Sequence, residues 1–191
     1  MVDANVAGFE TYASFLDRLS ALFQKMDERY AAAAAYYGFV CAGCTESCCE
    51  TRFYHHTLLE LMYLHRGLQT LEPEARRIVC DRAQKTARTV HSSAGRVMCS
   101  LNQDGQCLLY AYRPMICRLH GIPHELRHPV KGVIRSPGCH EFEAHHVQKP
   151  YAPFDRTPLY RELAQLESSL RQETGFREKI KMTIPEMITH N

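Results

Sequence analysis

Cys41-Ala-Gly-Cys44-Thr-Glu-Ser-Cys48-Cys49 puts four cysteines into nine residues, and helical patterns lie on both sides of it. Residues 41 to 56 show no apolar periodicity and read as an irregular loop. Upstream, Phe9, Tyr12, Phe15, Leu16, Leu19, Leu22, Phe23, Met26 and Tyr30 recur at steps of three and four, which is one face of a helix. The run Ala31 to Ala35 extends that helix towards Tyr37, and Gly38 permits an exit. Such a stripe is read as core packing rather than as a cofactor face. Downstream, Thr57-Leu-Leu-Glu60 has the form of a capping box, so a helix is expected from Leu58 to Arg66, stopping at Gly67. His55-His56, just before that box, read as surface residues.

A further helix is expected over Pro73 to Ser92, with Ile78, Val79, Ala83, Ala87 and Val90 inward. Between Gly95 and Phe142 the pattern breaks into short segments. Asp104-Gly105 signals a turn, and Cys107 to Tyr112 reads as a strand or a single helical turn. Thr157-Pro158 reads as an N-cap followed by proline at the first helical position. Leu159, Leu163, Leu166 and Leu170 continue that helix to Gly175, and Thr183-Ile-Pro-Glu186 opens a last helical piece. The expectation is a mainly α single domain over residues 1–191 with irregular cysteine-rich loops organised around a metal centre. Residues 1–37 supply the N-terminal helix, 38–140 the metal-binding region and 157–175 the C-terminal helix.

Nine cysteines in 191 residues need an explanation. The chain starts Met-Val-Asp-Ala-Asn and then alternates apolar with charged residues, unlike a secretory signal. No stretch approaches the ~18 apolar residues of a membrane span. The expected compartment is therefore the cytoplasm, where thiols stay reduced, and an odd cysteine count also argues against a disulfide framework. The formal net charge of +2 lacks the basic excess typical of nucleic-acid binders. Neither nucleic acid nor membrane is expected as a partner.

Metal ligation remains. A C-x2-C pair, Cys41 and Cys44, lets a loop fold around one metal, and thiolates this dense repel one another unless a cation neutralises them. Adjacent Cys48 and Cys49 cannot easily aim both sulfurs one way, so they serve two sites or divide between ligation and packing. Cys99, Cys107, Cys117 and Cys139 form a downstream set, each in a segment punctuated by Gly and Pro. Cys80, on the expected helix 73–92, reads as a small buried hydrophobe. Arg113 and Arg118 bracket Cys117, where a guanidinium would lower thiol pKa values and offset thiolate charge. His120, His124, His128, His140, His145 and His146 lie nearby, but the cysteines already supply enough ligands. Both cysteine segments are poor in hydrophobic periodicity, so the metal is expected to supply much of their order.

The string Cys99-Ser-Leu-Asn-Gln-Asp-Gly-Gln-Cys107-Leu-Leu-Tyr-Ala-Tyr-Arg113-Pro114-Met-Ile-Cys117-Arg118-Leu-His-Gly-Ile-Pro123 resembles the second motif of the zinc- or iron-chelating cysteine-cluster family, the YkgJ-type or CxxCxxCC family. Cys41 to Cys49 resembles its first motif, and Gly138-Cys139 its late Gly-Cys. The likeness covers roughly residues 38 to 140. Ser100 stands where many members have proline, and three residues rather than two precede the cysteine pair. The resemblance implies metal chelation, by an iron–sulfur protein or oxidoreductase of undefined substrate, or by an accessory protein of a modification pathway. Flagellin lysine methylases carry a similar cluster, but no glycine-rich nucleotide loop for a methyl donor is apparent here.

Iron–sulfur clusters, most often held by four thiolates, and structural zinc both suit these ligands. Zinc ribbons usually pair two C-x2-C elements, and a single pair here favours an iron–sulfur cluster, of the 4Fe-4S type, over zinc. The redox or protein partner is not legible.

Overall fold

The computed structural model describes residues 11–41, 48–89, 91, 96–146 and 148–190. Seven α-helices and two small antiparallel hairpins are present among them. The fold is mostly helical, as expected.

Helix α1 (Ala13–Tyr37) is the spine. Its apolar stripe buries Phe15, Leu16, Leu19, Leu22, Phe23 and Met26, with Ala34 and Tyr37 continuing the face, and Gly38 ends it. Phe9 lies outside the described residues. Against α1 pack α2 (Leu58–Gln69), the short α4 (Met115–Leu119) and α6 (Thr157–Thr174). Helix α3 (Pro73–Thr89) lies on α7 (Ile184–Thr189), and α7 also touches α2. On α3, Val79 and Ala83 are buried, whereas Ile78 points largely outward at 37% exposure. Val90 is outside the described residues.

Helix α2 departs from expectation at both ends. It runs two residues past Gly67 because that glycine is a packing site and not a stop. A Cβ there would lie 2.5 Å from the ring of Tyr112, so only glycine lets the aromatic rest against the backbone. At the N-terminus Thr57 accepts from the Glu60 N–H, but the Glu60 carboxylate does not complete the box. It accepts from the Thr57 hydroxyl at 2.7 Å and from the Met115 N–H at 2.9 Å. The free N–H groups of Leu58 and Leu59 go to Glu167 of α6, at 2.8 and 3.0 Å. A carboxylate at a helix N-terminus also meets the positive end of the helix dipole.

The full capping box occurs instead at Thr183 and Glu186, opening α7. Thr157 is likewise not an N-cap: its hydroxyl accepts from the Arg127 N–H, and Asp155 receives the Thr157 N–H. His55 is buried at 2% exposure, against the expected surface position, because it pairs with Met182 through N–H···O bonds of 2.7 and 3.0 Å.

The region 96–146 is more regular than expected. Strands β1 (Asn102–Gln103) and β2 (Gln106–Cys107) form a hairpin around Asp104-Gly105, followed by a 3-10 turn at Tyr110–Tyr112 and then α4. Strands β3 (His124–His128) and β4 (Gly132–Ser136) form a second hairpin, and α5 (His140–His145) follows. Leu101, Leu109, Met115, Leu119, Ile122 and Phe142 anchor this region in the main core. Its order thus has a hydrophobic basis of its own. No helix among the described residues is long and apolar enough to cross a membrane.

Candidate metal centre

Most of the described cysteines outside α3 lie in or beside short elements and turns. Cys41 follows the exit of α1 and is exposed. Cys48 and Cys49 lie on a 3-10 turn, Cys48–Glu50. Cys99 precedes β1, Cys107 ends β2, Cys117 lies on α4 and Cys139 is the N-cap of α5. Cys44 lies outside the described residues. All eight described cysteines are free thiols.

Backbone bonds draw these segments together. The Cys99 N–H donates to the Cys49 carbonyl at 2.8 Å, joining the upstream turn to the downstream hairpin. The Cys139 N–H donates to the Gly121 carbonyl at 2.9 Å, joining α5 to the segment that leaves α4. Gly121 has φ +124°, and a Cβ on it would lie 2.6 Å from the Tyr30 hydroxyl. Only glycine allows α1 to approach so closely there.

The thiols then act on one another. The Cys48 thiol is pushed up by its hydrogen bond with Cys49, by burial, and by Cys117 and Cys41. Burial raises Cys99 to about 12, with Cys49 and Cys107 adding to it. Burial also raises Cys107, which senses Cys49, and Cys117, which senses Cys99 and Cys107. Cys41, Cys48, Cys49, Cys99, Cys107 and Cys117 therefore share one electrostatic neighbourhood. Cys139 joins at its edge, since Cys41 and Cys139 both act on the Tyr30 hydroxyl. The vicinal thiols of Cys48 and Cys49 face a common space, because the tight 3-10 turn curls their side chains within hydrogen-bonding reach. Cys80 stands apart, with Arg76 and Asp81 as its charged neighbours.

The two arginines beside Cys117 divide. Arg118 is 5% exposed and fully engaged: Nε donates to the Arg113 carbonyl at 2.7 Å, Nη1 to Asp27 at 2.5 Å, and Nη2 to the Ala111 carbonyl. Its guanidinium also lies 4.4 Å from the Phe23 ring centroid. These bonds make it a structural pin between α1 and α4. Arg113 lies over the Tyr110 ring at 3.5 Å; its charge lowers the Cys107 and Cys117 thiols, and Arg118 also lowers Cys107, against the larger effect of burial.

Among the histidines, His128 caps its own turn by accepting from the Val130 and Lys131 N–H groups, and His146 packs on Phe39. His140 and His145 are exposed. His120 and His124 are held neutral, first by burial and then by Arg156, with His124 brought to about 4. Arg156 itself had no signal in the sequence, where it reads as one more surface charge before a helix.

Among the described residues, no three His, Cys, Asp or Glu side chains are grouped as a bound metal ion requires. The donor set nevertheless fits a thiolate-bound group in its chemistry. Free thiols from separate segments share one neighbourhood, and backbone N–H groups of Leu101 and Asn102 are aimed at Cys99 and that of Leu109 at Cys107. Amide bonds of this kind stabilise sulfur as thiolate.

No family model matches the chain, and no curated protein or solved structure matches it either. The likeness to the cysteine-cluster family rests on the residues quoted above.

Proposed function

We propose that this chain is a redox protein whose cysteines hold an iron–sulfur cluster. What supports the reading is that Cys48, Cys49, Cys99, Cys107 and Cys117, free thiols from separate segments, influence one another electrostatically, with the exposed Cys41 acting on Cys48. Neutral thiols gain nothing from such crowding. A cation inverts the balance, since a coordinated thiol gives up its proton outright. A cluster of this class would supply one-electron transfer, with its potential set by hydrogen bonds to sulfur, burial and net charge. Arg113 would moderate the charge of Cys107 and Cys117, and Cys44 would complete the C-x2-C pair with Cys41. Reduced thiols and such a cluster suit the cytoplasm, and an electron-transfer protein is the partner class this chemistry calls for.

Anaerobic purification tests the reading. The expected protein is brown, with broad absorbance and acid-labile sulfide. Cys41→Ser, Cys44→Ser and Cys117→Ser each lower iron content, while Cys80→Ala leaves it unchanged. A colourless protein carrying stoichiometric zinc would replace the cluster by a structural zinc site. Unchanged metal in all three serine variants would refute the site.

A further inference from the structure

Strand β4 has one edge that no other strand of the described structure covers, since its sheet has only two strands. The far edge of β3 is taken up by the stretch leading into α6. There the Glu125 N–H donates to the Phe154 carbonyl at 3.0 Å, and the Glu125 carbonyl accepts from the Arg156 N–H at 3.0 Å. The Arg127 N–H donates to the Thr157 hydroxyl at 2.7 Å.

Those bonds fix the phase of the β3–β4 ladder. In an antiparallel pair, opposed residues alternate between exchanging both backbone bonds and turning them away from each other. Glu125 and Arg127 turn theirs towards the α6 side, so their partners Arg135 and Val133 turn theirs the opposite way, while Leu126 and Ile134 bond each other. The N–H and C=O groups of Val133 and Arg135 therefore line the open edge. Among the described residues, no backbone bond from another segment reaches them.

The side chains narrow the choice of occupant. Neighbouring residues of a strand point to opposite faces, so Val133 (48% exposed) flanks the edge on one face and Ile134 (39%) on the other. A strand laid along the edge covers both, whereas a bilayer meets one face or the tip alone. Charge decides between partners. Lys131 has no ion pair among the described residues, Arg135 is 3.7 Å from Glu125, and Lys131 to Ser136 contains no acidic residue. A second copy paired edge to edge would set four cations along one short seam, where like charges repel. An acidic segment would meet them with opposite charge.

We propose that the open edge of β4 is a strand-addition site for an extended segment of a partner protein, apolar in its middle and acidic at its ends. Backbone bonds to Val133 and Arg135 supply the attachment, and the charges of Lys131 and Arg135 select the segment. The proposal stands whether or not the cysteines hold a metal.

The probe is a nine-residue peptide with blocked ends, Val alternating with Thr between two Glu at each end. Its twin carries Lys in place of Glu. Binding to the full chain is titrated and followed by amide exchange. The Glu peptide should bind and slow exchange at Val133 and Arg135, leaving Ile134, already bonded within the hairpin, unchanged. The Lys twin should bind at least about tenfold more weakly. Arg135→Gln removes the charge alone and should weaken binding a few-fold. Arg135→Pro also removes the outward N–H without breaking a ladder bond, and should weaken it about 2–10-fold further. Lys131→Gln leaves every backbone group in place and should also cost a few-fold, so the charge half of the test survives a hairpin disturbed by proline. The proposal is overturned if the Glu peptide fails to bind at about 1 mM, or binds without protecting Val133 and Arg135. Equal binding of the two peptides, or unchanged binding in all three variants, overturns it too. Dimers of the chain that Arg135→Pro breaks would assign the edge to a second copy and likewise overturn it.

Discussion

Replacing Glu60 separates the helical frame from the cysteine region more cleanly than any cysteine substitution does. Its carboxylate is 5% exposed and bridges the start of α2 to the start of α4, two residues before Cys117. Glu60→Ala leaves the buried Met115 N–H unpaired, at a cost of ~1–3 kcal/mol, and opens space near Thr57. Relief of the buried charge offsets part of this, so the expected net loss is about 1–3 kcal/mol. Glu60→Gln keeps an oxygen for Met115 and offers its amide to Thr57, so its loss should stay near ~1 kcal/mol. Burial raises the Glu60 carboxyl above its ordinary value. The folded state then holds the proton longer than the unfolded one, and this group's contribution to stability falls as pH rises through the raised value. Glu60→Gln removes that dependence. Urea unfolding of the metal-free proteins from pH 4 to 8, with amide exchange at Met115 and Cys117, measures both effects. A Glu60→Ala loss under about 1 kcal/mol with unchanged exchange at Met115 would refute the strut between frame and site.

His55 should show the opposite pH sign. Burial lowers it from 6.5 to about 4, so stability is full above 6.5 and is lost as pH falls towards 4, by up to about 3 kcal/mol. His55→Gln should flatten that limb in urea titrations, and an unaltered limb would exclude the residue as its source. Arg118→Lys keeps a charge for Asp27 but loses most of the carbonyl bonds and the stacking on Phe23. It should cost roughly 2–4 kcal/mol in the metal-free protein, and a value below ~1 kcal/mol would show the fork is dispensable.

The helical frame was legible because long helices leave periodic stripes, and the stripe of α1 is the face that packs. What the stripes do not carry is where polar groups go. Thr57 and Glu60 show the spacing of a capping box, yet the carboxylate serves α4 because a distant glutamate, Glu167, takes over the helix end. Gly67 looked like a stop because the tyrosine that needs its bare backbone is 45 residues away in sequence. The β3–β4 hairpin left no alternating pattern because β4 is exposed along most of its length. The clustering of the cysteines along the chain is visible in the sequence itself. The burial of Arg156 was not, since burial is a property of the folded chain.

Glu60, Arg118 and Arg156 also change what a metal would have to do. Each reaches from the helical frame, or from the strap leading into α6, to the short stretch Met115–Leu119: Glu60 to its first N–H, Arg118 back to Asp27, and Arg156 to its last carbonyl. Cys117 is thereby held from three directions by bonds within the protein. Cys139 is tied to the same stretch through Gly121, and Cys99 and Cys107 flank a hairpin anchored by Leu101 and Leu109. The upstream cysteines have a different attachment, with Cys49 joined to this group through the Cys99 N–H and Cys41 exposed beyond α1. In the proposed centre the downstream half is therefore a prepared seat.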